Sequence, residues 1–221
     1  SKSIISYLKQ HPRVQFHENT WVEHFNIQQQ RVSSIQTQSG QQIQADQFVI
    51  ATGAWSAHWS QQLNINIPVK PVQGQMLLFK TPEQWLPTIC MNKVMYLIPR
   101  QDGHIVCGSS MDELGFEHRP NIQTQQNIYK ACLEMVPELE QFPIVKQWAG
   151  LRPSSPTGVP YIGKMPELDN LWANFGHFRN GLCMGPASAR LLRQLMLEQP
   201  TCVDPAAFST QRLTSEALST R

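Results

Sequence analysis

The stretch from Leu171 to Met196 constrains the fold most, because it changes character twice. Apolar Leu171, Trp172, Ala173 and Phe175 lead into a loop where Gly176, Gly181 and Gly185 surround Arg179, and apolar Leu191, Leu192, Leu195 and Met196 follow. The run predicts a strand, the later spacing predicts a helix, and Pro186 suits that helix's first turn. A strand passing through glycines into a helix start favours an anion, since unpaired N–H groups and the positive dipole end face the loop. Gly181 and Gly185 would let the ligand approach closely. An ordinary strand-to-helix turn fits the same spacing, which matches no phosphate-loop pattern.

A second segment, Trp148 to Gly163, also sets one arginine, Arg152, among glycines and prolines. Together with Gly176-His177-Phe178-Arg179-Asn180-Gly181 it resembles the C-terminal half of the glycine oxidase branch of the D-amino-acid oxidase family of flavoenzymes. Phe48 to Ser56 is similar to that family's strand and turn beside the flavin nucleotide, and Met95 to Arg100 to its substrate-domain strand. Asp204-Pro205-Ala206-Ala207-Phe208 with Arg212 is similar to its closing segment, so the resemblance spans nearly the whole chain. It implies an α/β (α+β) fold, the C-terminal part of a two-domain flavoprotein. An antiparallel substrate domain over 61–150 would sit between two pieces of a Rossmann-like FAD-binding domain, 1–60 and 151–221.

The resemblance also implies a reaction. A flavin amine oxidase takes hydride from the carbon beside the amine, leaves an imine that hydrolyses, and passes the electrons to oxygen as hydrogen peroxide. The implied substrate is glycine or a related small amine, in the service of thiamine biosynthesis. D-amino-acid oxidases or dehydrogenases and sarcosine oxidases remain alternatives, and an isolated non-catalytic binding or assembly module is an alternative of another class. The implied substrate residues are Arg152, Tyr96, Arg179 and Met111; a planar guanidinium suits a carboxylate through two parallel bonds. The implied FAD contacts are Thr52, Gly53, Ala54, Trp55, Gly150, Gly176, His177, Phe178, Asn180, Gly181 and Leu182. No catalytic acid or base is expected, because the cofactor carries the chemistry and the protein supplies orientation. Val94, two residues before Tyr96, departs from relatives that carry a polar side chain there.

No G-x-G-x-x-G occurs in the 221 residues, and the start reads as mid-helix through Ile4, Ile5, Tyr7 and Leu8. The expectation is a C-terminal fragment whose partner is a missing N-terminal FAD-binding half of roughly 100 to 150 residues. Self-association is left open. A net charge of +2 without a basic stripe argues against nucleic acid. No apolar run is long enough to span a bilayer and no leader is evident, so a cytoplasmic setting is expected. Five dispersed cysteines without C-x-x-C suit reduced thiols, and the seven histidines show no metal-ligand spacing, so no metal is expected.

Strands are expected at Val14 to Phe16, Trp21 to Phe25, Phe48 to Thr52, Gln73 to Lys80, Val94 to Arg100, His104 to Ser110 and Val145 to Leu151. A hairpin is expected over Arg31 to Gln44, and a helix over Asn121 to Val136. Asp102-Gly103 reads as a two-residue hairpin turn, which pairs Tyr96 with Ser109 and puts Tyr96, Ile98, Ser109 and Met111 on one face.

Overall fold

A computed structural model describes residues 2–213; residues 214–221, the end of the expected 151–221 piece, lie outside the described part. Helix α1 spans Lys2–Lys9. Strands β1 (Val22–Gln28) and β2 (Arg31–Thr37) join through Gln29 and Gln30, both at positive φ (49° and 63°), as a tight hairpin turn requires. Short β3 (Gln42–Ile43) completes this antiparallel sheet, and β4 (Phe48–Ile50) follows. A 3₁₀ turn over Gly53–Trp59 runs into α2 (Ser60–Leu63), which ends at Asn64 in the left-handed region.

Next come β5 (Lys70–Lys80), β6 (Cys90–Met91), β7 (Tyr96–Pro99) and β8 (His104–Gly108). Helix α3 spans Ile122–Met135, its first turn capped by the Asn121 side chain, which accepts from Thr124 N at 2.8 Å. Strand β9 (Ile144–Ser154) precedes β10 (Tyr161–Lys164), β11 (Leu171–Phe175) and α4 (Gly181–Met196).

Strands β6, β7, β8, β5 and β9 form an antiparallel sheet in that order. One face packs Leu77, Phe79, Leu97, Ile105 and Cys107 against Ile128 and Cys132 of α3. The hydrogen-bonded contact with Cys132, then burial, push the Cys107 thiol up, and all five cysteines are free. A second sheet has the order β10-β11-β4, with β11 and β4 parallel. Its core draws together Phe48, Ile50, Leu63, Ile65, Ile67, Val69, Tyr161, Leu171 and Phe175. Residues 63–69 thus pack with this core, and β9 runs unbroken across 150–151. Buried Asn170 fastens the first hairpin to this sheet: its Oδ1 accepts from Val32 N at 2.8 Å and its Nδ2 donates to Val32 O at 2.9 Å.

Four expectations need correction. Val14 to Phe16 forms no strand; it follows a turn after Pro12 and finds no strand partner. Helix α4 starts at Gly181, so Pro186 lies inside it and not in its first turn. The β7–β8 loop has three residues, not two: Arg100 N donates to His104 O at 2.7 Å and Gly103, at φ 74°, donates to Arg100 O at 3.2 Å. The register therefore shifts by one, and Tyr96 pairs with Gly108 while Ile98 pairs with Val106. The row expected to unite Tyr96, Ile98, Ser109 and Met111 does not form, because Ser109 and Met111 follow the end of β8. Strand β7 also begins later than expected, since Asn92 Oδ1 accepts from both Val94 N and Met95 N in a side-chain turn.

Candidate active site

Two of the expected substrate residues, Arg152 and Tyr96, lie on the sheet face turned away from α3. Pairing puts Val72 beside Arg152, Gly74 beside Gly150, and Met76 beside both Trp148 and Gly108, with Tyr96 beyond Gly108. Side chains of paired residues share a face, so Arg152 and Tyr96 lie on the same side. Arg152 folds back over Gly74: a Cβ there would meet Nη1, Nη2 and Cζ closer than the 3.0 Å that real Cβ atoms respect. Likewise, a Cβ on Gly108 would collide with the Met76 thioether, which accepts from Tyr96 Oη at 3.3 Å. Nothing lies within 4 Å of a Cβ built on Gly150, so the space above it is open.

Three neutral acceptors hold the Arg152 guanidinium. Nη1 donates to Ser110 O at 3.0 Å and Gln73 O at 3.4 Å, and Nη2 donates to Ser109 Oγ at 2.6 Å. Among the described residues no carboxylate forms an ion pair with it. Burial, more than anything else, holds its pKa below the ordinary arginine value; the Arg179 charge acts in the same direction, against Tyr96 and Asp112. The group stays charged, so the face offers a fixed cation whose countercharge is not built in.

Met111 and exposed Arg179 line a different hollow, a cavity of about 370 Å³ shared with Lys93, Val94, Asp112, and Thr124 and Asn127 of α3. Ser109 and Ser110 belong to both groups, holding Arg152 and lining this cavity. The four expected substrate residues thus form two pairs joined by Ser109–Ser110.

The glycine loop lies where β9 ends. Ser154 bridges His177, and Phe178 N donates to Pro153 O at 2.8 Å. His177 Nε2 lies 3.0 Å from Ser188 Oγ, and burial pushes its pKa below the ordinary histidine value. Gly176 at φ 81° is buried; a Cβ there would press on Ser155 and Tyr161. Exposed Asn180 precedes α4 without a side-chain cap, so the N–H groups of Gly181 and of exposed Leu182 lack intrahelical partners. Close by, Asn174 Oδ1 is a buried acceptor with no hydrogen-bond partner among the described residues. In the turn after β4, Ala54 is buried while Thr52 and Trp55 line a 260 Å³ apolar pocket with Trp21, His58 and Trp59. Gly53 takes φ 57° there.

Residues 6–195 match the family described as FAD dependent oxidoreductase. The chain belongs to that family. Glycine oxidase of Pseudomonas aeruginosa is 41% identical over 95% of this chain and 57% of its own length. The bifunctional protein ThiO/ThiG of Trichormus variabilis is 31% identical over 94% of this chain and 31% of its own length. The crystal structure of glycine oxidase from Geobacillus kaustophilus superposes with a TM-score of 0.84 at 28% identity, covering 90% of this chain and 54% of that one. This member of the FAD dependent oxidoreductase family thus spans little more than half the length of these glycine oxidases. Among its described residues no helix is long and apolar enough to cross a membrane.

The orphan acceptor at Asn174, the uncapped start of α4 and the left-handed glycine loop suit a polar cofactor with anionic and donor groups. Sequence reasoning singled out Arg152 and the loop and named Ser109 only for its strand face; it did not single out Ser110 and Gln73, which with Ser109 hold the arginine, nor Gly74 beneath it. The signal for Gly74 was weak: a lone glycine inside an alternating strand marks a close approach by another group.

Proposed function

We propose that this chain is the C-terminal part of a FAD-dependent oxidase that deaminates glycine or a related small amine, in the service of thiamine biosynthesis. The observation that carries this reading is Arg152, a half-buried guanidinium held by Ser109, Ser110 and Gln73 with no carboxylate paired to it. Such a cation calls for an anionic ligand, and a carboxylate matches its planar fork. The substrate carboxylate binds Arg152 and the Tyr96 hydroxyl shares its orientation, while Met111 and Arg179 border the site from the neighbouring cavity, across Ser109–Ser110.

FAD, when bound, supplies the oxidant for the carbon beside the amine and passes the electrons to oxygen. The segment Thr52, Gly53, Ala54 and Trp55 would hold it from one side. The loop of Gly176, His177, Phe178, Asn180, Gly181 and Leu182 would hold it from another, with Gly150 as an open floor. The remaining contacts come from an N-terminal half that holds the pyrophosphate. This chain's own contribution is orientation, which sets the reacting carbon at a fixed distance from the carboxylate anchor. No side chain need move a proton.

The test is the complete protein, this chain joined to its N-terminal half, purified with FAD and given glycine, sarcosine and D-alanine. Peroxide formation with glycine or sarcosine supports the reading. A yellow, folded protein that oxidises none of the three overturns it.

A further inference from the structure

Beneath α3, strand β5 buries two glutamines where hydrocarbon would be expected. Gln73 and Gln75 are both 0% exposed and occupy the same face as Leu77 and Phe79. Their amides form a chain. Gln75 Nε2 donates to Gln73 Oε1 at 2.8 Å, and Gln73 Nε2 donates to Glu117 O at 2.6 Å and Arg119 O at 3.3 Å. Gln75 Oε1 in turn accepts from Asn121 N at 3.0 Å, at the cap of α3. Three of these four bonds end on the segment between β8 and α3, and the fourth links the two amides.

That segment also hangs on the β5 backbone. Gln73 N donates to Asp112 O at 2.8 Å, Asp112 N to Gln73 O at 2.9 Å, and Gln75 N to Ser110 Oγ at 3.0 Å. Ser110 Oγ donates to Asp112 Oδ2 at 2.5 Å, which occupies that carboxylate. The outcome is that Ser109 and Ser110 present neutral oxygens to Arg152. Buried amides are costly in an apolar layer unless all partners are in place, so what this chain of amides holds is specific.

We infer that Gln73 and Gln75 are positioning residues for carboxylate recognition. Their amides fix the 109–121 segment so that Arg152 is steered by neutral acceptors, Asp112 is kept off it, and its charge is left for the substrate. This rests on the reading of Arg152 as the carboxylate anchor.

The experiment uses the complete FAD-loaded enzyme with Gln73→Met and Gln73→Glu. Methionine keeps the volume and loses both donors. Its glycine KM should rise about 10-fold or more while kcat stays within roughly 3-fold. Acetate, titrated by its perturbation of the flavin absorbance, should weaken by the same factor. In Gln73→Glu a protonated carboxyl can still donate to Glu117 O, whereas a carboxylate cannot. Its KM should therefore approach wild type at low pH and climb with pH, a profile absent from wild type.

Unchanged KM and acetate affinity in a folded, FAD-loaded Gln73→Met enzyme would overturn the inference. If that variant fails to fold, a Gln73→Glu profile that tracks wild type overturns it equally. Failure of the underlying reading looks different: Arg152→Ala would then leave glycine kinetics intact.

Discussion

Gly74→Ala in the complete enzyme should disable substrate binding without disturbing the fold. The added methyl would meet Nη1, Nη2 and Cζ of Arg152 closer than 3.0 Å. To reach an ordinary contact of roughly 3.5 Å, the guanidinium must withdraw by about 1 Å. Withdrawn that far, it keeps one of two bonds to a carboxylate. A charge-assisted bond contributes about 1.5 to 3 kcal/mol, so KM for glycine should rise roughly 10- to 150-fold. The backbone itself accepts alanine, because φ at Gly74 is not in the left-handed region. The loss of glycine's chain entropy in a strand offsets part of the disturbed arginine contacts, so the melting temperature should move by only about 4 °C or less. Steady-state peroxide assays over glycine concentration, with a thermal melt and a flavin spectrum, measure all three quantities. KM within 3-fold of wild type in a folded, flavin-replete protein would refute the claim that Arg152 needs the bare strand.

Arg152→Ala should raise the glycine KM by two orders of magnitude or more while leaving flavin content intact, since a paired buried charge typically contributes several kcal/mol; kinetics and an absorbance spectrum decide. His177, depressed by burial, makes the native state favour the neutral ring. Stability tied to it should be present above the unfolded pKa of about 6.5 and fall as pH drops below that, so His177→Asn should flatten the melting-temperature profile between pH 7.5 and 5.5. Residues 1–221 without the N-terminal half should purify colourless, because they contain no G-x-G-x-x-G turn; one tightly bound FAD per chain would show the cofactor grip to lie in this half.

Elements with a strong period were legible. Helix α3 fell within Asn121 to Val136 as its apolar spacing indicated, and the buried parallel strand expected over Phe48 to Thr52 forms as the shorter β4, Phe48–Ile50. The start of α4 was not legible: Gly181 to Gly185 show no apolar period, so Pro186 looked like the opening residue. Asp102-Gly103 is compatible with two- and three-residue loops, and only the backbone bond from Arg100 N to His104 O decides between them. Gln73 and Gln75 look like a solvated face in an alternating strand, yet they are fully buried. Their side-chain amides reach backbone partners more than 40 residues away, and Gly74 is explained by an arginine on a neighbouring strand. Such pairings carry no local signature.

If Arg152 anchors a carboxylate as proposed, strand β9 has a consequence for the range of substrates that could be accepted. It carries Arg152 and, two residues later, the Ser154 that bridges His177 in the glycine loop. At a rise of about 3.3 Å per residue, these points are about 6.6 Å apart along one extended backbone. That spacing is a covalent ruler: it cannot be tuned by repacking, only by inserting or deleting a residue, which would flip every later side chain of the strand. Under the proposed function, the gap between Arg152 and the glycine loop is thereby the invariant of the site. On that reading, room for bulkier amines would have to come from side chains outside β9, whose substitution leaves the ruler untouched.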